Sequence, residues 1–430
     1  MNAKNFLFVS KDSLSGDLAV HLLKEGHNVK FYFEDKNSKD VYDGFVDKVD
    51  NWKKYQRWAD VVIFDDENFG SYADRLRKKK KLVIGGSKYT DKLEINRNFG
   101  QKELKKNGVK IAPMWNFSTY DKAINFVREN PGRYVFKPSG NNQSGDKRLV
   151  LISQREDGSD LVEFLTQNKK VLEKKNKKFV LQKFIEGVEI AVGAFFNGDD
   201  FIYPINVNFE HKNLFAKNLG PMTGEMGTLM FWSKVNKIFR STLAKMKPDL
   251  KKSKYIGYID LNCIVNEDGI FPLEFTSRFG YPTIQIQLAG ILDEAGEWLL
   301  KLAMGNKFRL STKKGFQVGV VVATPPLLSE GEDAEIVKIF RDISIRFKNG
   351  KESKNVHVGD IKRDADGIWR IAGASGWCLI VTGVGHTVHR ARAKAYKEIR
   401  NIKIPSMFYR NDIGLRWSAD SKKLRSWGYL

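Results

Sequence analysis

Leu-Glu-Phe-Thr-Ser-Arg-Phe-Gly-Tyr-Pro, at residues 273–282, is the stretch of this chain that indicates its fold most clearly. It follows an apolar run that begins Gly-Tyr-Ile-Asp-Leu-Asn at residues 257–262. The two segments are typical of adjacent strands, with Asp260 on the first, Glu274 on the second, and Arg278 where the chain leaves the sheet. Magnesium bridged to phosphate takes carboxylate oxygens, and a planar guanidinium neutralises an oxyanion. The stretch therefore predicts a nucleotide-using active site; the alternative is a strand that ends in a solvated salt bridge.

The composition is that of a folded globular protein. The chain has 430 residues, 42% of them hydrophobic and 12% aromatic, which favours about two to four domains with ample core. No run approaches the roughly 18 consecutive apolar residues of a membrane-spanning helix, and the N-terminus lacks a secretory apolar core. Cys263 and Cys378 lie in apolar, strand-like runs, so we expect two reduced core thiols and no zinc site. A cytoplasmic protein without membrane contact is expected.

The chain carries a large positive charge. There are 73 Lys and Arg residues against 51 Asp and Glu residues, which gives a net charge of +22. Many of the lysines are clustered, for example within residues 77–81 and 169–178. Such a surface attracts polyanions through its long-range field. Nucleic acid is therefore a candidate partner, although lysine-rich solvated faces explain the same charge without any partner.

The order of apolar runs predicts four regions. Short strands alternate with helices over residues 1–108, which favours a Rossmann-like parallel domain, but the glycine fingerprint of a dinucleotide site is missing. This region is expected to close with one helix over about residues 92–108. Residues 109–188 predict a compact α+β lobe, and residues 189–312 a strand-rich lobe that contains the metal site. Residues 313–430 predict a smaller C-terminal domain.

Two further segments suit nucleotide binding. Lys137 ends a strand and precedes a polar, glycine-containing loop at residues 138–145, whose amides could close over phosphates. The strand at residues 179–184 ends near a glycine turn, and its exposed end can offer backbone groups to the edge of an adenine. Glu189 follows, and a carboxylate can accept from two ribose hydroxyls. Each signal alone is weak; the loop, for example, is equally typical of an exposed hairpin. The order of these residues along the chain is more specific for a nucleotide site than any one of them.

Several motifs continue this order through the rest of the chain. They are Glu-His-Lys at 210–212, Gly-Pro-Met-Thr-Gly-Glu-Met-Gly at 220–227, Leu-Glu-Phe-Thr-Ser-Arg-Phe-Gly at 273–280, Val-Thr-Gly-Val-Gly at 381–385, Ala-Lys-Ala-Tyr at 393–396 and Tyr-Arg-Asn-Asp-Ile-Gly at 409–414. Their sequence resembles the ATP-grasp superfamily, and within it the phosphoribosylamine-glycine ligase family, over nearly the whole chain. The resemblance implies a multidomain α/β and α+β protein. Its ATP-grasp fold would consist of a lid lobe and a central lobe, with a Rossmann-like domain before them and a small α+β domain after them.

The resemblance also implies an activity. It implies an ATP-dependent ligase that activates a carboxylate as an acyl phosphate and joins it to an amine. The implied cofactors are ATP and Mg²⁺, with Mn²⁺ as an alternative metal. Glycine or another amino acid would be the carboxylate, an amine would be the acceptor, and the protein would be a monomer or a dimer. The implied site residues are Arg278 and Lys137 for catalysis, Lys137, Ser144, Gln182, Lys183, Phe184, Glu189 and Lys212 for ATP, and Asp260, Glu274 and Thr276 for the metal.

The chain departs from the family pattern at chemically important positions. Thr276 stands where the family has a metal-binding Asn, and Met222 and Glu225 interrupt a polar, glycine-rich segment. Trp377 replaces an Arg, and it is open which cation within residues 97–102 reaches the phosphates. These changes predict an altered acceptor, such as a nucleotide or a modified nucleic-acid base that receives an amino acid. The alternative from another class is a nucleic-acid-binding or scaffolding protein with a degenerate ATP-grasp site.

Overall fold

The computed structural model covers most of the chain. It describes residues 2–139, 150–175, 178–325, 327 and 334–430. Both cysteines are buried and neither forms a disulfide, as expected. Within the described ranges, every helix is too short or too polar to cross a membrane.

The N-terminal region is a layer of parallel strands with helices. Its elements in chain order are β1 (Asn5–Ser10), α1 (Gly16–Lys24), β2 (Asn28–Phe33), β3 (Asp47–Lys48), β4 (Val61–Phe64), α2 (Gly70–Lys78), β5 (Leu82–Ile84), α3 (Lys88–Ile95) and α4 (Arg97–Lys106). The sheet order is β3-β2-β1-β4-β5, and every pair is parallel. The chain therefore adds strands on one side of β1 up to β3 and on the other side from β4 onward. In open α/β sheets, the carboxyl ends of the two strands at such a switch point form a crevice. Asp12 and Ser13 follow β1 at this edge, and Asp65 and Asp66 follow β4.

The single helix expected over about residues 92–108 is in fact two helices. Asn96 separates α3 from α4 with φ −110° and ψ 90°, and its side chain accepts a hydrogen bond from the Phe99 amide at 2.9 Å. An Asn in this conformation is a good N-cap because it satisfies one of the free amides that begin a helix. The prediction of one helix was wrong because the capping preference of Asn outweighs the apolar periodicity. The break places Arg97 in the first turn of α4.

The next region is an antiparallel sheet backed by two helices. Its elements are β6 (Met114–Phe117), α5 (Tyr120–Glu129), β7 (Tyr134–Ser139), β8 (Leu151–Ile152), α6 (Ser159–Lys175) and β9 (Lys178–Lys183). The strand order is β6-β9-β7-β8. This lobe has its own aromatic core, in which the rings of Tyr120 and Phe179 stack with centroids 4.4 Å apart. These residues are called the lid lobe below, after the role predicted for residues 109–188, which a lobe with a separate core could perform; the role itself stays a prediction.

The rest of the chain is built around one large antiparallel sheet. Its elements up to the predicted limit at residue 312 are β10 (Val188–Asn197), β11 (Phe201–Glu210), β12 (Asn213–Phe215), β13 (Leu219–Met222), β14 (Gly227–Ser233), α7 (Lys237–Ser241), α8 (Lys247–Lys252), β15 (Ile256–Asn266), β16 (Gly269–Thr276), α9 (Thr283–Gly290) and α10 (Ala295–Ala303). Those beyond it are β17 (Phe316–Ala323), α11 (Ala334–Phe340), β18 (Ser344–Phe347), β19 (Val356–Val358), β20 (Ile361–Arg363), β21 (Trp369–Ile371), β22 (Trp377–Gly385), α12 (Val388–Ile399), β23 (Ile402–Lys403) and α13 (Trp417–Ser426).

This sheet runs through the predicted limit between central and C-terminal domains. Its order is β16-β15-β10-β11-β14-β17-β22-β19, so three strands from the C-terminal part extend it. β17 joins the sheet by pairing with β14. The domain limits at residues 108, 188 and 312 stay a prediction, because pairing alone does not define a domain. The shared sheet brings the segments around Asp360 and Trp377 close to β16 and to the crevice beside β1.

Candidate active site

Polar side chains cluster on one face of the large sheet. Asp260 of β15 lies opposite Thr276 of β16, and Asn262 lies opposite Glu274. Residues directly opposite one another on antiparallel strands share a face. Gly193 of β10 also lies opposite Asp260, and a Cβ there would come within 2.6 Å of the Asp260 Cβ. The glycine therefore makes room for a carboxylate on a face that would otherwise be closed.

Lys212 is the centre of this polar face. Its Nζ lies 3.1 Å from Glu189, 3.2 Å from Glu210 and 3.3 Å from Glu274, and its side chain is 13% exposed. Burial alone would lower the pKa of Lys212, but the three carboxylates raise it well above the usual range. Asn262 adds two hydrogen bonds, because its Nδ2 donates to Glu189 and Glu210 at 3.0 Å each. Charged groups packed this closely hold one another in fixed positions.

The segment 97–102 contributes one cation to the same cluster. Arg97 Nη2 lies 3.2 Å from Glu274. Gln101 is buried and donates to the carbonyls of Pro272 and Leu273, so it anchors α4 against β16. Lys102 is exposed. Arg97 is therefore the residue of this segment that faces the site.

Arg278 lies where β16 ends and faces the N-terminal region. Its Nε is 3.2 Å from Glu94 and 3.5 Å from Glu67, and Nη1 donates to the carbonyl of Phe279 at 3.1 Å. Burial opposes the charge of Arg278, but Glu94 and Glu67 raise its pKa above the usual value. The guanidinium therefore stays charged, and Glu94 and Glu67, which lie outside the large sheet, fix its orientation.

Two cavities adjoin at Lys212 and Glu274. The lid cavity has a volume of about 170 Å³ and lies beside the lid lobe. Its wall is largely apolar and includes Val135, Phe184 and Leu273. The central cavity has a volume of about 300 Å³ and is lined mainly by polar residues of β15, β16, the loop after β1 and the segments around Asp360 and Trp377. Lys212 and Glu274 line both cavities.

Lys137 lies on the lid side of this junction. Its Nζ donates to the Oε1 of Gln182 at 2.6 Å. Burial, with the nearby positive charge of Arg97, lowers the pKa of Lys137 to about 8. A lysine whose charge is destabilised in this way gains from an added polyanion.

Comparison with known proteins agrees with this architecture. The family model described as "Phosphoribosylglycinamide synthetase, ATP-grasp (A) domain" matches residues 95–284, and the model described as "Phosphoribosylglycinamide synthetase, C domain" matches residues 334–416. The two matches together span more than half of the chain. The chain belongs to the phosphoribosylglycinamide synthetase family.

Individual members of the phosphoribosylglycinamide synthetase family are distant relatives. The phosphoribosylamine–glycine ligase of Lactococcus lactis is 25% identical over 353 residues, covering 80% of each chain. That of Streptococcus pneumoniae is 27% identical over 364 residues, covering 81% of this chain and 82% of its own length. The solved phosphoribosylamine–glycine ligase of Thermotoga maritima has a TM-score of 0.71 at 20% identity, covering 95% of this chain and all of its own. A solved structure of another enzyme, the biotin carboxylase–β,γ-ATP complex of Campylobacter jejuni, has a TM-score of 0.63 at 11% identity, covering 99% of this chain and 97% of its own.

These findings confirm the predicted α/β and α+β ATP-grasp fold and the enzyme class. Like the rest of the phosphoribosylglycinamide synthetase family, the chain is an ATP-dependent ligase that joins a carboxylate to an amine with a carbon–nitrogen bond. Membership of the family does not by itself identify the carboxylate and the amine that this chain joins.

Within this family frame, the structure brings most of the predicted site residues together. The lid cavity is lined by Lys137, Gln182, Lys183, Phe184, Glu189, Lys212 and Glu274, and the central cavity by Lys212, Asp260, Glu274, Thr276 and Arg278. Ser144 and nearly all of the predicted phosphate loop lie outside the described residues. The ammonium of Lys183 sits over the ring of Tyr134 at 5.2 Å. The catalytic and binding roles assigned to these residues stay predictions.

The metal-binding prediction is compatible with the donors present. Among the residues the structure describes, there is no preformed group of three His, Cys, Asp or Glu side chains suited to an ion. Mg²⁺ bound together with a nucleotide needs only one or two carboxylates, because phosphate and water supply the other oxygens. Burial, with Glu210 and Glu94 nearby, raises the pKa of Asp260 well above its usual range. A buried carboxyl with too little positive charge around it fits a cation site.

Two residues of the polar face were missed in the sequence. Glu210 and Asn262 were not predicted as site residues. Asn262 donates to Glu189, and Glu210 contacts Lys212, which also contacts Glu189. Glu210 belongs to the Glu-His-Lys motif, and this motif was the available signal. Asn262 lies two residues after Asp260, and strand periodicity places both on one face.

Proposed function

We propose that ATP binds in the lid cavity and that an amino acid and an amine acceptor meet in the central cavity. The observation that carries this proposal is the shared lining of the two cavities by Lys212 and Glu274. A γ-phosphate at this junction would face both the nucleotide side and the substrate side. Glycine is the simplest carboxylate, since the relatives are named phosphoribosylamine–glycine ligases.

The apolar wall of the lid cavity suits an adenine ring. The amides of Lys183 and Phe184 are already bonded to the carbonyls of Pro113 and Arg133, so they are not available for the base. This differs from the simple expectation that the end of β9 offers its amides. The next amide, of Ile185, has no acceptor among the described residues, and Ile185 lines the cavity. We assign the hydrogen bond to the adenine edge to Ile185.

Positive side chains would stabilise the phosphates and the transferred group. Lys137 and Arg97 line the lid cavity near its junction with the central cavity, where charge accumulates on the phosphoryl oxygens. Arg278 lies on the central side, where the acyl phosphate would form. A divalent cation held by Asp260 and Glu274 would supply further charge screening when bound.

The reaction needs no side-chain nucleophile. An oxygen of the amino-acid carboxylate attacks the γ-phosphorus and ADP leaves, which gives an acyl phosphate. The amine nitrogen then attacks the acyl carbon, inorganic phosphate leaves, and the amine loses a proton. Closure of the lid over the junction would exclude water, which otherwise hydrolyses the acyl phosphate.

The first half of this reaction can be tested without knowing the acceptor. With ATP, Mg²⁺, glycine and hydroxylamine, we expect equal amounts of glycyl hydroxamate and ADP, because hydroxylamine intercepts an acyl phosphate. Other amino acids should be tested in the same assay, and omission of the amino acid should suppress ADP release. If no amino acid supports hydroxamate formation, the proposed function fails.

The pKa of Lys137 predicts how ATP use depends on pH. The protonated amine binds the triphosphate, so the KM for ATP should be lowest below pH 8 and should rise as the pH increases through about 8. A Lys137→Arg variant keeps its charge at all these values, since the guanidinium pKa exceeds about 12, and should lose this rise. The measurement is the KM for ATP between about pH 6 and pH 10. Lys122→Arg, an exposed change on α5, should behave as the parent; an unchanged profile in Lys137→Arg would contradict the assignment.

Two further predictions from the sequence concern nucleic acids: a nucleotide or base as the acceptor, and a nucleic-acid-binding protein in place of an enzyme. A nucleotide or a nucleic-acid base as the acceptor stays a prediction. The nucleic-acid-binding alternative has the net charge of +22 in its favour.

A further inference from the structure

We propose that a basic groove, remote from the two cavities of the candidate active site, binds single-stranded nucleic acid. The groove is formed by the end of β14, the segment that follows it, α7 and the C-terminal end of α13, and it has a volume of about 530 Å³. It shares no lining residue with the lid cavity or the central cavity. The proposal goes beyond the proposed function and does not depend on the identity of the acceptor.

The basic groove lies on the opposite side of the large sheet from the polar face. Strand pairing links Asp260 to Trp232 through one residue each of β10 and β11, so these two side chains share a face. Phe231 and Ser233 flank Trp232 on β14 and line the groove. Because neighbouring residues of a strand point to opposite faces, the groove belongs to the other side of the sheet. A ligand bound there is separated by the sheet from the residues assigned to catalysis.

Positive side chains surround the basic groove, and all of them are exposed; they are Lys234, Lys237, Arg240 and Arg425. None of the four forms an ion pair with another described residue, and no Asp or Glu residue lines the groove. Leu430 also lines it, and a terminal carboxylate at this residue would offset one of the four charges. Exposed cations without acidic partners attract phosphates, because each contact releases a counterion from the nucleic acid.

Aromatic rings form the floor of the basic groove. Phe231, Phe316 and Trp417 line it and are only partly buried, and their ring centroids lie 5.2, 5.4 and 5.6 Å apart. Tyr429 adds a fourth ring, with the ammonium of Lys237 4.5 Å from its centroid. Unpaired bases stack on such rings whatever their sequence, whereas the bases of a duplex are already stacked on one another. A lysine-rich solvated face alone explains the charge but neither the groove nor its aromatic floor.

Binding can be measured with the intact enzyme and a fluorescently labelled oligothymidylate of about 12 nucleotides. We expect a strand of the same length with abasic sites in place of the bases to bind about tenfold more weakly, because it keeps the phosphates but cannot stack. A duplex of this length should also bind more weakly than the single strand. Fluorescence anisotropy between about 50 and 300 mM salt gives the affinities and their dependence on salt.

A double variant tests whether the strand lies in the basic groove. Lys234→Gln with Arg240→Gln should weaken oligothymidylate binding by about tenfold or more at about 100 mM salt, and should reduce the slope of log K against log salt by about 1.4, since each phosphate contact contributes about 0.7. The matched control is Lys122→Gln with Arg128→Gln, which removes the same two charges, six residues apart, from exposed positions of α5. The control should keep the parental slope.

Three results would each overturn the proposal: no binding of oligothymidylate at about 50 mM salt, an abasic strand or a duplex that binds as tightly as the oligothymidylate, or equal losses in the two double variants. Equal losses would show that the net charge attracts the strand without the groove. Hydroxamate formation by Lys234→Gln with Arg240→Gln should match the parent, since neither residue lines the lid cavity or the central cavity. Strand binding is measured without ATP or amino acid, so its failure is distinct from failure of the proposed function.

Discussion

Lys212→Met should destabilise the protein strongly and abolish ligase activity. The substitution removes an ammonium whose Nζ lies 3.1 Å from Glu189, 3.2 Å from Glu210 and 3.3 Å from Glu274. Removing one partner of a buried ion network costs about 3–5 kcal/mol. Arg97 and Asn262 would still contact the carboxylates, so we expect the lower end of this range. We expect the free energy of unfolding to fall by this amount in urea titrations. Hydroxamate formation should fall below detection, since Glu189 lines the lid cavity, Glu210 lines the central cavity and Glu274 lines both.

Two controls separate this effect from a general loss of surface charge. Lys247→Met breaks an exposed pair with Asp200, whose atoms lie 2.7 Å apart, and should change stability by less than about 1 kcal/mol. Adding Glu210→Gln to Lys212→Met should recover part of the lost stability, because it removes one of the uncompensated charges. A loss of less than about 1 kcal/mol in Lys212→Met would show that the carboxylates find other partners or take up protons.

Arg278→Lys should lower kcat for ADP release by about a thousandfold while the KM for ATP changes little. The planar guanidinium can hold Glu94 and Glu67 with one edge and present other N–H groups to the transferred phosphoryl group. A lysine keeps the charge opposite the two acids, so the fold should survive, but its single ammonium cannot serve both sides. Single-turnover ADP formation at saturating ATP measures this effect directly.

The control for Arg278 is Arg309→Lys, which makes the same chemical change at an exposed position. It should leave kcat and the urea midpoint as in the parent. If Arg278→Lys retained a tenth or more of the parental kcat, Arg278 would hold α3 against the sheet rather than act in catalysis. A large loss of stability without a change in kcat per folded molecule would lead to the same conclusion.

Motif-bearing strands were the easiest part of the site to predict. Asp260, Glu274 and Arg278 were predicted from two short segments, 257–262 and 273–282, because strand periodicity and the glycine–proline exit specify their faces locally. Lys137 was predicted from the strand end that precedes a glycine-containing loop, whereas the family resemblance implied Gln182 and Phe184. The break at Asn96 was missed because a side-chain cap competes with apolar periodicity over only one residue. Glu210 and Asn262 were missed because their contacts join strands that are far apart in sequence.

The charge of the substrate cavity could not be read from composition. The whole chain is strongly basic, and this favoured an anionic acceptor. The lining of the central cavity nevertheless includes six Asp and Glu residues and only two Lys and Arg residues. Net charge sums over the solvated surface, whereas a ligand in a cavity experiences the few groups that line it.

The amino-acid order by itself determined the superfamily, the alternation of strands and helices, and the strands that carry the chemistry, because these depend on short-range periodicity and local motifs. Only the tertiary structure decided that Lys212 balances three acids, that Arg97 rather than Lys102 faces the site, and that Asp360 and Trp377 close the same cavity as Asp12. These relations depend on which strand edges pair and which loops meet after folding. Pairing of distant strands is a property of the whole packed chain, which no local window of sequence contains.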